Sequence, residues 1–319
     1  MTPASAQPEP LQGVDPGAAA RPTIALRNLT ARRAGAVLVE GLSFTSSAQQ
    51  VAVVGDHGFL PRLVLGEAEL SSGELELAGV PARLALVSGV RLVPAAGWLV
   101  DSEPLLVSAQ LTLELLGVRH SAQLAKASLA ELGLLHMRRV KPAALEPAER
   151  RALSLHLALA TQPLLVILEQ PLDGLDDLRA AWLLEHVRRA IARPSTPARP
   201  VPRLVWTSER LITRAQFDLA AEGDIAWLRY GRLLACGPAS QVLAAEALCV
   251  VRVRGDGAAF HAALTAAGVQ VEALSRALEP ADSTAWRARA SDRPALVQAA
   301  VSSGTPVIEL AVVEPLGAR

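Results

Sequence analysis

The sequence predicts an α/β protein whose first domain has a largely parallel sheet and whose second, smaller domain is α+β. Short apolar runs typical of buried parallel strands alternate with segments of helical periodicity up to about residue 245. Beyond that residue the pattern changes to strand, helix, strand, strand, helix, strand. The length of 319 residues is also long for one domain and ample for two.

The chain divides where these patterns change. Residues 1–22 are rich in proline and alanine, and we expect them to form a disordered leader. Residues 23–245 form the predicted α/β domain, and residues 246–319 form a predicted ferredoxin-like domain. The leader has neither the basic start nor the apolar centre of a signal peptide, so we expect a cytoplasmic protein.

The elements of the first domain follow in order. An alternating strand begins at Ile24, and a continuous apolar strand ends at Gly55. Residues 104–139 have helical spacing, with one predicted buried face made by Leu111, Leu115, Leu116, Leu124 and Leu132. After this region we predict a helix at 149–160, strands at 164–168 and 203–208, and a hairpin that turns at 230–231.

The second domain is predicted from two helices that end at glycine, with strands around them. Gly268 and Gly304 follow the helical segments and are suited to helix C-termini. The predicted elements are a strand at 249–255, a helix at 257–268, strands at 269–276 and 284–290, a helix at 292–304 and a strand at 305–314.

Composition excludes several classes of protein. Thirty-one basic residues balance thirty-one acidic ones, so the net charge of +0 argues against a nucleic-acid partner. Hydrophobic residues make up 51% of the chain, but no uninterrupted stretch reaches the roughly 20 apolar residues of a membrane span. Cys236 and Cys249 indicate neither a disulfide framework nor a metal site.

A phosphate-binding loop is suggested where the apolar strand ends at Gly55. Its predicted loop contains Gly55, Asp56, His57 and Gly58. The P-loop pattern requires glycine, lysine and serine or threonine at the three positions occupied by Leu60, Pro61 and Arg62.

Each of these three residues removes part of the phosphate chemistry. Leu60 places a side chain where the backbone must approach phosphate, and Pro61 lacks both the charge and the backbone N–H. Arg62 lacks the hydroxyl that holds Mg²⁺. Pro61 is tolerated at the start of a helix, so we expect the strand, loop and helix to form without a phosphate site.

Lysine is scarce throughout the chain. The two lysines, Lys126 and Lys141, follow Ala125 and Val140, so no other Gly-Lys pair exists. The absence of a phosphate-binding lysine is therefore a property of the whole sequence.

Residues 145–176 strongly resemble the core of an ABC-transporter nucleotide-binding domain. The resemblance aligns Leu145, Glu146, Pro147, Ala148 and Glu149 with the signature, Glu169 and Gln170 with the acidic pair of Walker B, and Asp173, Gly174, Leu175 and Asp176 with the D-loop. The resemblance implies that Gln170 replaces the general-base glutamate. A glutamine cannot accept a proton from water at neutral pH.

Other family positions are also changed. Ser208 aligns with the switch histidine, Ala95 with the Q-loop glutamine and Arg33 with the adenine-stacking aromatic residue. The hairpin at 223–243 resembles the family's C-terminal sheet, and residues 246–319 resemble the accessory domain of ABC-2-type exporter ATPases. The resemblance therefore implies a P-loop NTPase fold with degenerate Walker A, Q-loop, signature, Walker B and switch-histidine motifs.

The signature position is also unsuited to a partner's nucleotide. In the family each ATP lies between the P-loop of one subunit and the signature of the other. Glu146 replaces a serine that faces phosphate, and Pro147 removes an N–H donor. Two like charges at 4 Å repel by about 4 kcal/mol at an effective dielectric constant of 20, so we expect no active site shared with a partner.

Several side chains also have simpler interpretations. Glu169 and Asp176 are candidates for a divalent cation, but acids at strand ends are often solvated or helix-capping residues. We therefore predict no metal site. Arg62 is expected to be a surface charge, and the Arg150 and Arg151 pair to form a solvated face.

The leading hypothesis is a catalytically inactive ATPase-like subunit of an ABC-2-type exporter. Its expected partners are a membrane permease, a second ATPase subunit or both, which places it at the inner face of the cytoplasmic membrane. ATP and Mg²⁺ are the ligands that the resemblance implies, and the changed residues lead us to expect neither. Two alternatives stay open: an ATPase with a rearranged site built from Arg62, Glu169 and Asp176, and a scaffold outside transport.

Overall fold

A computed structural model describes most of the chain. The described residues are 21–56, 58–192, 201–211, 213–243, 248–255, 257–273, 283–289 and 292–313. The prediction for His57 and nearly all of the leader lie outside these ranges, as does the predicted boundary between the two domains.

An antiparallel sheet opens the chain. Its strands run in the order β2, β1, β4, β5. They are β1 (Ile24–Arg33), β2 (Ala36–Ser46), β4 (Glu69–Leu77) and β5 (Val80–Pro81). Ile24, Leu26, Leu29 and Ala31 of β1 pack in the core that this sheet shares with the next. A register shift between Leu26 and Leu29 interrupts the alternation predicted from the sequence.

The central sheet confirms the predicted α/β architecture, and it is mixed. Its order is β10, β9, β3, β8, β7, β6. Strand β10 alone among these six pairs antiparallel, with β9. The strands are β3 (Gln50–Gly55), β6 (Val90–Val93), β7 (Leu165–Leu168), β8 (Arg203–Ser208), β9 (Asp224–Arg229) and β10 (Arg232–Pro238).

The central sheet separates two apolar cores. Val51 and Val53 of β3 pack toward the antiparallel sheet, and Ala52 and Val54 pack toward the helices on the opposite face. All four residues of β7 are buried, because helices or a second sheet cover both faces. The helices of this part are α1 (Phe59–Leu65), α2 (Leu105–Leu115), α3 (Ser121–Glu131), α4 (Pro147–Ala160), α5 (Asp177–Ile191), α6 (Arg214–Ala220) and α7 (Ala239–Val242).

The prediction of one continuous apolar face over residues 104–139 is wrong. The chain turns at Gly117, which has φ +74°, and separates α2 from α3. The periodicity therefore restarts, and Leu115 is 83% exposed whereas Leu113 is fully buried. A single helical wheel across the break assigned Leu115 to the wrong face.

The C-terminal region has its own sheet and core. Strands β11 (Leu248–Arg254), β12 (Glu272–Ala273), β13 (Ser283–Arg289) and β14 (Val307–Val313) are antiparallel in the order β12, β13, β11, β14. Helices α8 (Ala258–Ala266) and α9 (Arg293–Ser303) cover one face of this sheet. Gly304 has φ +64° and ends α9, as its position in the sequence predicts.

The C-terminal sheet contacts the β9–β10 hairpin. Leu234 of the hairpin packs with Val250 and Ala285. The Glu309 carboxylate accepts a hydrogen bond from Arg229 at 2.6 Å and another from the Tyr230 hydroxyl. Apolar packing and a partly buried ionic cluster therefore join the two parts of the chain.

In the part of the chain that the structure describes, no helix has both the length and the apolar character needed to cross a bilayer.

Candidate functional site

The sequence-predicted site residues collect at one edge of the central sheet. Strands β3, β6, β7 and β8 are parallel, so their carboxyl ends meet at the same edge. In open α/β sheets the crevice outside these ends is the usual ligand site. The segments that follow the four strands therefore define the site.

The loop after β3 begins at a backbone position that requires glycine. Gly55 has φ +97°, and a Cβ built there would lie 1.8 Å from the Leu228 carbonyl oxygen. The carboxylate of Asp56 accepts a hydrogen bond from the Gly231 N–H at 2.8 Å. Close packing on the β9–β10 hairpin thus explains Gly55 without a ligand.

The helix after this loop points its first side chains into the core. Helix α1 begins at Phe59, and Phe59, Leu60 and Pro61 are buried. Leu60 is 0% exposed and belongs to the core between the two sheets. Pro61 is the third residue of the helix, where its missing N–H is still one of the unpaired donors of the first turn.

Arg62, which is predicted to be a surface charge, lies in α1 with its guanidinium beside the loop. A Cβ built on Gly58 would lie 3.4 Å from a guanidinium nitrogen of Arg62. The side chain is partly buried because it folds back across Gly58. Both lysines are exposed in the segment around α3 and α4, away from this loop in sequence and fold.

The two residues after β7 are held by backbone contacts with neighbouring strands. The Glu169 carboxylate accepts the Ala95 N–H at 3.3 Å, so it contacts the segment after β6. The Gln170 N–H donates to the Thr207 hydroxyl at 3.2 Å, and Gln170 has φ +47°. This φ lies in the left-handed region that costs free energy for a residue other than glycine.

The Asp173 carboxylate accepts three hydrogen bonds from the end of β8 and the segments that follow it. The donors are the Ser208 hydroxyl at 2.6 Å, the Glu209 N–H at 3.0 Å and the Gln216 amide at 2.8 Å. Ser208 is 0% exposed, and Gln216 is buried. The positions aligned with the D-loop and the switch histidine are thus brought together, and they bond directly to each other.

Arg151 contradicts the prediction of a solvated face. Its guanidinium donates to the carbonyl oxygens of Ala95 at 3.0 Å, Pro171 at 3.0 Å and Asp173 at 2.8 Å. Burial lowers the pKa of Arg151, and the Asp173 carboxylate opposes this shift. The prediction failed because the arginine faces the strand ends, where backbone oxygens replace water.

Arg150 is also engaged. It forms an ion pair with Asp101 at 2.6 Å, and its own side chain is only 20% exposed. The solvated interpretation is therefore wrong for both arginines of the pair.

The signature position forms contacts within its own chain. The Glu149 carboxylate accepts the Glu146 N–H at 3.0 Å and so caps the start of α4. Arg179 pairs with both Glu146 and Asp176. A hydrogen bond from Arg179 lowers the pKa of Glu146, and the Arg179 backbone N–H is the main cause of the lowered pKa of Asp176.

Arg179 thus connects the signature position with Asp176, one of the two acids considered for a divalent cation. Asp176 caps α5 by accepting the Arg179 N–H at 2.9 Å, so the capping interpretation accounts for its position. Among the described residues, no group of three histidine, cysteine, aspartate or glutamate side chains is arranged to hold a metal ion.

Sequence reasoning missed two residues of this site, Gln216 and Arg151, although a capping motif in the sequence indicates the position of Gln216. Gln216 stands three residues after Thr213, and the pair forms a capping box at the start of α6. That Thr-x-x-Gln spacing is visible in the sequence. Arg151 had no comparable signal, since its acceptors are backbone oxygens of segments far away in sequence.

The fold is that of an ATP-binding cassette. The chain superposes on MJ1267, an ATP-binding cassette of an ABC transporter, with a TM-score of 0.56 at 14% identity over 68% of this chain and 91% of that one. MJ0796, a dimeric cassette in a post-hydrolysis state with ADP and Pi, gives 0.54 at 15% identity over 67% and 98%. CbiO1 from Clostridium perfringens, part of the transporter complex cbiONQ, gives 0.54 at 12% identity over 68% and 88%.

Sequence similarity leads to the same group of proteins. The aliphatic sulfonates import ATP-binding protein SsuB 1 of Pseudomonas fluorescens is 27% identical over 250 residues, 74% of this chain and 89% of that protein. The molybdenum import ATP-binding protein ModC of Rhodopseudomonas palustris is 30% identical over 123 residues. That match covers 39% of this chain and only 30% of ModC. No protein-family model matches the chain. The chain is thus similar in sequence and in fold to ATP-binding subunits of ABC transporters.

Proposed function

We propose that this chain is a catalytically inactive ATP-binding-cassette subunit that serves as a structural or regulatory partner of a membrane permease. The observation that carries the proposal is that Leu60 is fully buried in the core between the two sheets and that Pro61, the next residue, is also buried. These residues stand where a phosphate-binding loop needs glycine and lysine. Neither side chain offers a charge to phosphate, and Pro61 also lacks a backbone N–H.

The remaining positions support the same proposal. Gln170 follows β7 where the resemblance requires a general base, and an amide cannot act as one. Asp173 and Ser208 are hydrogen-bonded to each other, and Glu146 pairs with Arg179. The residues present do not fit ATP and Mg²⁺, because Pro61 stands where phosphate requires a cation and an N–H donor, and Arg62 stands where Mg²⁺ requires a hydroxyl oxygen.

The C-terminal region supports a particular permease class. The sheet order of β12, β13, β11, β14, with two helices on one face, supports our proposal of a ferredoxin-like domain at 246–319. This domain resembles the accessory domain of ABC-2-type exporter ATPases, and we therefore propose an ABC-2-type permease as the partner. The relatives SsuB and ModC are import proteins. Export by an ABC-2-type partner is therefore the part of the proposal that these relatives do not support.

The proposed location follows from the partner. A subunit bound to a permease lies in the cytoplasm at the inner face of the membrane, as one of two identical subunits or beside a second ATPase. CbiO1, which shares the fold, is part of such a transporter complex. Purification of a tagged full-length chain from membranes, with identification of co-purified membrane proteins, tests this part.

One observation favours an alternative in which nucleotide still binds. The Arg62 guanidinium lies against Gly58, so a cation is present at the loop after β3. In that alternative Arg62 replaces the missing lysine. The same alternative places Glu169 and Asp176 in the site beside Arg62, but Asp176 is paired with Arg179.

Calorimetry with ATP and Mg²⁺ on the full-length chain separates these functions. We expect no binding heat, and ATP turnover equal to that of the Pro61→Ala and Gln170→Ala variants. An Arg62→Ala variant is the matched control for the alternative. Mg²⁺-dependent binding that disappears in Arg62→Ala would overturn the proposal.

A further inference from the structure

We propose that Arg151 and Asp173 form an internal latch that closes the carboxyl edge of the central sheet and holds α4 against it without any ligand. The carboxyl-edge latch consists of Arg151, Asp173, Ser208 and Gln216. The inference rests on the proposed function, since it states how an inactive cassette keeps one arrangement. It goes further by naming the residues that link the segments after β6, β7 and β8 to each other and to α4.

The first half of the latch joins α4 to the segments after β6 and β7. Arg151 lies in the second turn of α4, and its guanidinium reaches the carbonyl oxygens of Ala95, Pro171 and Asp173 at 2.8–3.0 Å. A planar guanidinium with five N–H donors can satisfy several acceptors at once. These charge-assisted hydrogen bonds are stronger than neutral ones.

A second contact ties the same helix to the same segment. The Ser154 hydroxyl accepts the Trp98 N–H at 2.9 Å, and Ser154 is fully buried. A Cβ on Gly97 would approach this hydroxyl oxygen to 2.7 Å. The segment after β6 is therefore packed closely on α4 over a full helical turn.

The second half of the latch joins the segments after β7 and β8. The Asp173 carboxylate accepts hydrogen bonds from Ser208, Glu209 and Gln216. Gln216 belongs to the first turn of α6 and is itself held by Thr213. Because Asp173 also provides a carbonyl oxygen to Arg151, one residue connects both halves.

The arrangement fills the place where an open α/β sheet usually binds a ligand. That place lies outside the carboxyl ends of the strands. Here the segments after β6, β7 and β8 are cross-linked by side chains of the same chain. Helix α4 cannot move relative to the sheet unless the contacts of Arg151 break, so the surface offered to a partner stays in one arrangement.

Hydrogen exchange on the full-length chain tests the latch at its own amides. The Glu209 N–H donates to Asp173 of the latch, and the Ala95 and Gln170 N–H groups donate to Glu169 and Thr207 in the segments that the latch joins. Peptides covering 93–99, 169–176 and 206–211 therefore report on it. We expect Arg151→Ala to raise exchange in all three peptides by at least about tenfold, the scale of one lost charged hydrogen bond. Arg150→Ala, on the same helix, is the matched control. It removes an ion pair with the exposed Asp101 and should change exchange in peptides 169–176 and 206–211 by less than about twofold.

A conservative variant distinguishes the loss of these hydrogen bonds from misfolding of the chain. Arg151→Lys keeps the charge but lacks the planar fork, so its exchange in peptides 93–99 and 169–176 should also rise. If Arg151→Ala raises exchange equally over the whole chain, and Arg151→Lys exchanges like the wild type, the latch is overturned. Unchanged exchange in both variants overturns it as well.

The two proposals fail in different ways. The latch predicts that ATP with Mg²⁺ leaves the wild-type exchange of the three peptides unchanged. Binding detected by calorimetry with unchanged exchange overturns the inactive-subunit proposal and supports the latch. Absence of binding, with no response of these peptides to either Arg151 variant, overturns the latch and leaves the proposed function standing.

Discussion

The loops after β3 and after β7 end at the same edge of one sheet, yet they contain opposite chemistry. After β3, Leu60 and Pro61 stand where the P-loop pattern has glycine and lysine. Both are buried, and Leu60 belongs to the core between the two sheets. After β7, polar residues remain, and Asp173 binds Ser208 and Gln216 of its own chain. One loop has exchanged its polar groups for packing, and the other has turned them toward each other.

The difference teaches two ways in which contacts within one chain can hold the loops at the edge of a sheet. Apolar burial contributes in proportion to the area removed from water, so the β3 loop is held by its core. Buried polar groups cost free energy unless they are hydrogen-bonded, so the β7 loop is held by mutual satisfaction of donors and acceptors. Substitutions on each side should therefore have different magnitudes and different pH dependence.

The largest effect is expected at Leu60. Leu60→Ala removes a fully buried side chain from the core between the two sheets and should lower the free energy of unfolding by about 2–5 kcal/mol. Leu65→Ala in the same helix removes a side chain that is 50% exposed and should cost less than about 1 kcal/mol. Urea denaturation followed by circular dichroism measures both. Equal losses would show that the β3 loop is not held by packing.

An intermediate effect is expected at Asp173. Asp173→Ala removes the acceptor shared by the Ser208 hydroxyl, the Glu209 N–H and the Gln216 amide, and should cost about 1–3 kcal/mol in the same denaturation experiment. The exposed Asp177, in the first turn of α5, provides the control, and Asp177→Ala should cost less than about 1 kcal/mol. A larger loss for Asp177→Ala than for Asp173→Ala contradicts the prediction.

The smallest effect is expected at Arg179, whose partners Glu146 and Asp176 are about half exposed. Arg179 lowers the pKa of both carboxyl groups, so the unfolded chain binds more protons than the folded chain as the pH falls. The stabilisation is thus present above their ordinary pKa values of 4.5 and 3.8 and is lost as the pH falls through the lowered values.

Comparison of wild type with Arg179→Ala at pH 7 and pH 3 tests the direction of this pH dependence of stability. The midpoint of urea unfolding should be slightly lower for the variant at pH 7, and the difference should shrink at pH 3. It should also shrink in 1 M salt, because exposed ion pairs are screened. A difference that grows on acidification contradicts the assignment.

Much of the fold could be predicted from local patterns. The strand at Arg203–Ser208 and the helix ending at Gly304 lie where the sequence places them, because apolar runs and terminal glycines are local signals. The break near Gly117 was missed, and with it the exposed face of Leu115. Similarly, the burial of Arg151 could not be predicted, because its acceptors come from residues 95, 171 and 173.

The sequence by itself determined what the loop after β3 lacks. Only two lysines exist in the chain, and a leucine and a proline stand at the positions of the phosphate site. Which groups replace the missing chemistry was decided by the tertiary structure. Parallel strands bring the ends of β6, β7 and β8 to one edge, and only there do Arg151 and Asp173 meet acceptors and donors far away in sequence. The identity of one residue is enough to exclude a contact, such as that of a lysine with phosphate. A new contact forms only when the folded sheet brings residues that are far apart in sequence within hydrogen-bond distance.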